Sequence, residues 1–122
     1  MSRPIGAYFH VPHGLSNAML LPTVMQFSLG GDIPRYAHIA RVLGATQTDD
    51  QAAAEVGVAI VRDLAADLKV PTLRAWGVDE HRYRDVTPAM ARDALASGSP
   101  ANNPCPATQA EVESLYNTVI SL

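Results

Sequence analysis

The feature that most constrains the fold of this chain is a long apolar stretch over residues 15–29. Six residues of the stretch are polar or proline, which makes it too short and too polar to span a membrane. Its apolar residues surround most of a helical circumference, as is typical of a helix that other elements cover on several sides. The pattern therefore predicts a core helix over residues 12–29.

Helical spacing and capping signals continue after this stretch. Asp32 is placed to cap a second helix that ends at Gly44. Thr48 and Gln51 have the spacing of a capping box and predict the start of a third helix. Its apolar stripe is predicted to run along Ala53, Val56, Ile60, Leu64 and Leu68. Pro71 prevents this helix from continuing further.

The next segment carries two shorter signals. Residues 72–76 are predicted to form a short helical turn that Gly77 closes. Thr87 followed by Pro88 has the pattern of a cap before a first-turn proline, which predicts a helix from there to about Gly98.

The C-terminal segment begins with a loop and ends with a helix. Residues 99–107 contain three prolines and two asparagines, a composition typical of a loop. Thr108 and Glu111 form a second capping box before the last helix. Since no segment alternates apolar and polar residues as a strand does, the predicted fold class is all-α.

Composition limits the classes of function. The 122 residues suffice for one domain with a modest core. The net charge is −3 with acids and bases interspersed, so no basic surface for nucleic acid is expected. The single cysteine, Cys105, excludes an internal disulfide, and the N-terminus lacks the pattern of a signal peptide. We therefore expect a soluble, cytoplasmic protein with neither nucleic acid nor membrane as a partner.

The densest group of polar side chains contains His10 and His13, just where the core helix is predicted to begin. Two histidines three residues apart on one helical face could bind a metal. Pro12 disfavours helical conformation at Val11 and so argues against a shared face. The alternative is that each histidine is a capping residue near a helix end. Cys105 has no base next to it in the sequence and is expected to be inert. His38 and His81 lie among charged or mixed residues and are expected on the surface.

A longer motif surrounds these histidines. Residues 3–22 read RPIGAYFHVPHGLSNAMLLP. This segment resembles the stretch of iron-containing alcohol dehydrogenases in which His-Pro-Leu-Gly-Ala precedes Pro-His-Gly-x-x-Asn-Ala-x-x-Leu-Pro. Residues 35–37, 71–74 and 103–104 follow the order of further family motifs. The resemblance covers essentially the whole chain. It implies the helical C-terminal domain of the dehydroquinate synthase-like fold of this family.

The resemblance also implies roles for individual residues. His13 matches a family histidine that binds the divalent metal, iron or zinc. Arg3 stands where many relatives carry a second active-site histidine. Because arginine remains charged, it cannot act as a general base, and the proton-relay role is left open. Ser99 lies about where relatives place a pocket-lining residue, and Arg3 and His10 are further candidates for the substrate pocket.

The resemblance is to part of an enzyme, so residues 1–122 are expected to be a partial metal-binding domain. The other metal ligands and the dinucleotide-binding domain of the family lie upstream of the matched region. The intact enzyme would use a divalent metal and NAD(P) to interconvert small alcohols and aldehydes. This chain alone is expected to bind neither cofactor tightly and to be inactive, its partner being the missing N-terminal domain or further copies of itself in a homo-oligomer. The alternative is a non-catalytic helical module that self-associates through its apolar first helix.

Overall fold

The computed structural model describes residues 1–122, which form α-helices joined by short turns and contain no strand. The prediction of an all-α fold is confirmed. The helices are α1 (Ser2–Phe9), α2 (His13–Ser28), α3 (Ile33–Val42), α4 (Asp50–Asp67), α5 (Leu73–Trp76), α6 (Glu80–Ala96) and α7 (Gln109–Ile120). Two 3₁₀ turns, Leu29–Gly31 and Ser99–Asn102, precede α3 and the final loop. None of the helices has both the length and the apolar character needed to cross a membrane.

Helix α2 occupies the centre of the arrangement. It packs against α1, α4 and α7, while α3 packs mainly on α4, and α6 packs on α7 and α1. The main core lies where α1, α2, α6 and α7 converge. Its largest fully buried side chains are Ile5, Leu73, Tyr83, Met90, Tyr116 and Ile120. The core helix predicted over residues 12–29 is confirmed as α2, which begins one residue later and ends one residue earlier.

Helix α1 is absent from the sequence-based expectations. Its N-cap, Met1, makes no side-chain capping bond, and no acidic residue lies in its first turn. The usual signals of a helix start are therefore missing. Burial of Pro4 and Ile5 against the core stabilises this helix instead.

Helix α4 differs from its prediction at both its cap and its buried face. The carboxylate of Asp49, rather than the hydroxyl of Thr48, accepts the capping bond from the backbone N–H of Ala52 at 2.9 Å. A carboxylate is at least as good a cap as a hydroxyl and also interacts favourably with the helix dipole. The expected apolar stripe was wrong toward the C-terminal end of the helix, where Leu64 is 51% and Leu68 69% exposed. The buried positions are Ala53, Ala54, Gly57 and Val58.

Helix α6 begins seven residues before Thr87, the predicted cap. Asp79 is the N-cap, and its carboxylate accepts from the backbone N–H of Arg82 at 2.7 Å. Pro88 is therefore inside the helix, contrary to the prediction. The hydroxyl of Thr87 donates to the carbonyl of Tyr83 at 2.8 Å, a bond within the turn that Pro88 deprives of a backbone donor.

The remaining predictions about helix ends are confirmed. Asp32 accepts from the backbone N–H of Arg35 and caps α3. Gly77 closes the short helix α5 with a φ of 100°, a value that glycine adopts without strain. Thr108 and Glu111 form both bonds of the capping box that starts α7.

Candidate functional site

The two histidines of the motif lie on different elements. His10 is the C-cap of α1, with a φ of 56°, and its backbone N–H donates to the carbonyl of Gly6 at 3.0 Å. His13 is the first residue of α2, after the N-cap Pro12. Both residues are exposed. The structure thus does not place the two imidazoles on one helical face, and His10 is a capping residue through its backbone.

A tight turn over residues 10–12, the elbow, joins α1 to α2. The hydroxyl of Ser16 is fully buried and lies 3.0 Å from the carbonyl oxygen of His13 and 3.5 Å from that of Ser2. A Cβ at Gly6 would approach the carbonyl oxygen of Val11 to 3.3 Å, so α1 and the elbow are already in tight contact. These contacts fix the direction in which α2 starts. They therefore fix the position from which the His13 imidazole projects.

The His13 imidazole has one polar neighbour. Its Nε2 lies 3.2 Å from Nδ2 of Asn17, one turn along α2. In the tautomer with the proton on Nδ1, the Asn17 amide donates to Nε2. An exposed neutral imidazole is a suitable donor for iron or zinc, although a metal on Nε2 would have to displace Asn17. No group of three or more His, Cys, Asp or Glu side chains is arranged to hold a metal ion. The chain therefore offers the implied metal a single candidate ligand, the imidazole of His13.

A groove of about 450 Å³ runs beside α2. Its apolar lining comes mainly from Leu20, Leu21, Val24 and Phe27 of α2 and Val112 and Leu115 of α7. Asn17 also lines this groove, so one side chain contacts both the groove and His13. Ser99, the predicted pocket residue, lies in the lining too.

The other two predicted pocket residues lie elsewhere. Arg3 is exposed on α1 and His10 is exposed at its end, and neither belongs to the groove lining. The structure brings Ser99 and Asn17 to one groove and leaves Arg3 and His10 on the surface of α1 and the elbow. Their contact with substrate stays a prediction, as does the metal-ligand role of His13.

The loop that carries Ser99 is anchored to the end of α2. Nδ2 of Asn103 donates to Oγ of Ser28 at 2.8 Å and contacts the carbonyl oxygen of Cys105 at 2.9 Å. A Cβ at Gly31 would lie 2.4 Å from the carbonyl carbon of Pro104. Only glycine at position 31 permits so close an approach between the loop and the turn after α2. The groove therefore has a fixed wall at this end.

Sequence reasoning missed Ser16, Asn17 and Asn103. Asn17 lies four residues after His13, a spacing that places two helical side chains together, so this signal was present. The partnership of Asn103 with Ser28 spans 75 positions of the sequence. No local pattern in the sequence could have revealed it.

Comparison with known proteins identifies the class of protein to which the chain belongs. Residues 1–120 match the family model described as "Fe-containing alcohol dehydrogenase family, C-terminal". The chain belongs to the iron-containing alcohol dehydrogenase family, as the resemblance of the motif indicated.

Individual relatives support this membership. The chain is similar to the lactaldehyde reductase of Escherichia coli, with 36% identity over 97% of this chain and 31% of that protein. It is also similar to the NADPH-dependent butanol dehydrogenase of Clostridium saccharobutylicum, with 26% identity over 98% of this chain and 31% of that protein. The chain thus spans about 31% of the length of these relatives.

Solved structures show the same likeness in three dimensions. A crystal structure of a 1,3-propanediol oxidoreductase superposes with a TM-score of 0.88 and 30% identity, covering 97% of this chain and 31% of that one. An alcohol dehydrogenase from Oenococcus oeni superposes with a TM-score of 0.86 and 25% identity, covering 97% and 30%. The arrangement of helices described above is therefore that of the C-terminal region of the family.

Proposed function

We propose that this chain forms the C-terminal helical part of a metal-dependent, NAD(P)-linked alcohol dehydrogenase and contributes His13 to its metal site. The observation that carries the proposal is the exposed imidazole of His13 at the start of α2, in a chain that matches the family over residues 1–120. When bound, a divalent metal supplies Lewis acidity toward an alcohol or carbonyl oxygen, and NAD(P) supplies hydride exchange.

The residues of this chain have binding and orienting roles in the proposal. The buried Ser16 and the turn at Val11 set the start of α2, and Asn17 is hydrogen-bonded to the Nε2 of His13 that a metal would take over. Because the contacts of Ser16 fix the first turn of α2, the backbone that carries the His13 ring is already in place for a metal. Ser99 is the proposed contact to a small alcohol or aldehyde, since it lines the groove that Asn17 also lines.

One histidine does not hold a divalent metal tightly, because structural and catalytic sites use three or four protein ligands. We therefore propose that the chain is inactive alone and needs the N-terminal part of the enzyme for the other ligands and the dinucleotide. Titration of the purified chain with ferrous iron or zinc should show weak binding or none. Tight one-to-one binding that His13→Ala abolishes would mean that this chain holds a complete site.

The function is tested in a chimera in which this chain replaces the matched C-terminal region of the E. coli lactaldehyde reductase. The chimera should bind one divalent metal per chain and show NAD(P)-linked alcohol oxidation. His13→Ala should remove the activity and most of the bound metal, measured by elemental analysis. His81→Ala is the matched control, because His81 is an exposed histidine of α6 paired with Asp85.

The outcome that contradicts the proposal is equally specific. If the folded chimera keeps its metal and its rate when His13 is replaced, the imidazole is not a ligand. If the His81 variant loses as much activity as the His13 variant, the loss reflects general damage rather than loss of a ligand.

A further inference from the structure

A second pocket, of about 170 Å³, lies between α2 and α4, and we name it the α2–α4 pocket. Ala18, Met19 and Pro22 line it from α2. By helical geometry these positions face away from Asn17 and Leu21, which line the groove. The rest of the lining comes from α4, the turn before α5 and the end of α7, and no residue is shared with the groove. The pocket is therefore a separate feature on the opposite side of α2.

The interior of the α2–α4 pocket is apolar. Its inner wall is formed by side chains that are buried in the core, namely Met19, Leu73 and Val119. Small side chains face each other across the pocket, Ala18 from α2 and Ala65 from α4, so the chain itself does not fill the space between the two helices. An apolar cavity of about 150 Å³ holds a benzene molecule, so this pocket has room for a hydrocarbon group of about four to six carbon atoms.

One charged side chain lines the pocket, that of Arg62 on α4. Its guanidinium forms no ion pair and no hydrogen bond, whereas Arg35, Arg41, Arg74 and Arg84 are each paired with a carboxylate. No acidic side chain lies in the lining. The pocket thus combines an apolar interior with a single cation that has no partner within the chain. Pockets that bind small molecules have this character, an apolar lining with a few polar groups that fix the orientation of the ligand.

The chemistry of the ligand follows from these two features together. An uncharged hydrocarbon would fill the apolar interior and leave Arg62 without a partner. A phosphate ion would pair with Arg62 and leave the apolar wall uncovered. A carboxylate that carries a short hydrocarbon chain uses both, because arginine binds a carboxylate through two parallel hydrogen bonds.

We propose that the α2–α4 pocket binds a short-chain aliphatic carboxylate of about four to six carbon atoms, the length that the volume of the pocket allows. The carboxylate pairs with the guanidinium of Arg62, and the hydrocarbon chain packs against Met19, Leu73 and Val119. The pocket lies on the face of α2 opposite the groove and does not include His13. The proposal therefore does not depend on metal or hydride chemistry.

Titration of the ¹⁵N-labelled chain with sodium hexanoate at constant ionic strength tests the site. Backbone amide shifts of residues that line the pocket, such as Ala66 and Val70, should change and saturate. A Kd on the order of 1 mM is expected for so small a ligand. Hexan-1-ol has the same chain length without the charge, and it should bind at least about fivefold more weakly because the charge-assisted hydrogen bonds to Arg62 are lost.

Two variants separate the role of the charge from that of the space. Arg62→Gln should weaken hexanoate binding at least about fivefold, because a neutral amide replaces the guanidinium. Arg92→Gln is its matched control, since Arg92 is an exposed arginine of α6 that forms no ion pair and lies outside the pocket. Ala66→Leu should abolish binding by filling the space, whereas Ala110→Leu, at an exposed alanine of α7 outside the pocket, should leave it unchanged.

Four results would overturn the proposal. The first is the absence of saturable shifts up to about 20 mM hexanoate, well above the expected Kd. The second is equal binding of hexan-1-ol and hexanoate, since the pocket would then be an apolar site that does not use Arg62. The third is an equal loss of binding in the Arg62 and Arg92 variants, which would mean attraction by the overall charge of the chain. The fourth is a set of shifts centred on the groove instead of the α2–α4 pocket.

The same titration in the chimera with the E. coli lactaldehyde reductase shows whether the pocket stays open in an assembled enzyme. Hexanoate should bind there with a similar Kd, and His13→Ala should not change it. Loss of binding in a folded chimera would mean that the N-terminal part covers the pocket, and the proposal would fail. The function and the pocket can also fail separately. An inactive chimera that binds hexanoate contradicts only the function, whereas an active one that does not bind it contradicts only the pocket.

Discussion

The α3–α4 pair and the α6–α7 pair are held together in different ways. Helices α3 and α4 meet through small residues, and a Cβ built on Gly57 would lie 2.7 Å from the Cβ of Ala40. Ala37 and Ala53 are also fully buried there. Small residues let two helices approach closely, and the larger apolar side chains of α3, such as Val42, remain exposed.

Helices α6 and α7 meet through large aromatic side chains. The rings of Tyr83 and Tyr116 pack edge to face at 6.2 Å between centroids, and Phe9 of α1 lies 5.4 Å from Tyr83. The comparison shows that one pair depends on the absence of side-chain volume and the other on its presence. The first should be sensitive to an added methyl group, and the second to changes in large side chains and in the polar atoms that they carry.

The largest effect is expected at the close contact of the first pair. An alanine in place of glycine inside a helix usually stabilises by about 1 kcal/mol. Gly57→Ala should instead destabilise the chain by about 1–3 kcal/mol, because neither Ala40 nor its backbone can move away without separating the helices. The measurement is the free energy of unfolding in urea.

Gly14→Ala is the matched control for this substitution. Gly14 also lies in a helix, and a Cβ there would meet nothing within 4 Å. It should leave the stability unchanged or slightly raised. If Gly57→Ala were stabilising, α3 and α4 could move apart without cost. The α3–α4 pair would then not depend on small residues at its contact.

The sequence predicted where the helices lie better than which face of each helix is buried. The capping box at Thr108 and the stop at Gly77 were found because caps are local hydrogen-bonding patterns. The buried face of α4 was misjudged because Leu64 and Leu68 are more hydrophobic than Gly57, which is buried for its size. The hydrophobicity of a residue can be read from the sequence directly. Whether a position must be small depends on how closely the neighbouring helix approaches it, which the sequence does not show.

A smaller effect is expected in the aromatic pair. The hydroxyl of Tyr116 donates to the carbonyl of Met1, whereas the buried hydroxyl of Tyr83 has no hydrogen-bond partner. Tyr116→Phe should cost about 1 kcal/mol of unfolding free energy, the typical net value of one hydrogen bond. Tyr83→Phe should be neutral or stabilising, since it removes a polar atom that is buried at a cost. Burial also raises the pKa of both phenols.

The two phenylalanine variants control each other, because both remove one oxygen from a buried ring on facing helices. Urea unfolding of both variants side by side gives the difference. If Tyr83→Phe were the more damaging change, its hydroxyl would have a partner that the structure does not show, and the role of polar atoms in this pair would need revision.

The candidate site could be predicted only in part for a related reason. His13 was identified from a contiguous motif, and the structure places it at the start of α2, next to the predicted start of the core helix at residue 12. The groove could not be predicted, because it is made where α2, α7 and residues 99–103 meet. Ser99 was placed near a pocket only through the resemblance to relatives, since a serine in a proline-rich loop carries no such signal of its own.

The smallest effect concerns surface charges near the starts of α6 and α7. Hydrogen bonds from Arg84 chiefly, and from Arg74, lower the pKa of the exposed Glu80 carboxyl below its usual 4.5. Hydrogen bonds from the backbone and side chain of Thr108 lower that of Glu111. A carboxyl with a lowered pKa in the folded state stabilises the fold at neutral pH, and this contribution is lost as the pH falls through the folded-state pKa.

Glu80→Gln and Glu111→Gln should each be slightly less stable than the natural chain at pH 7. The differences should shrink as the pH falls below about 4.5, since the natural carboxyls are then protonated as well. Salt should reduce the Glu80 difference more than the Glu111 difference, because ion pairs on the surface are screened whereas the capping bonds of Glu111 are short-range. Urea midpoints measured from pH 7 to pH 3 at two salt concentrations test this. Differences that persist unchanged at pH 3 would show that these glutamates act through packing rather than charge.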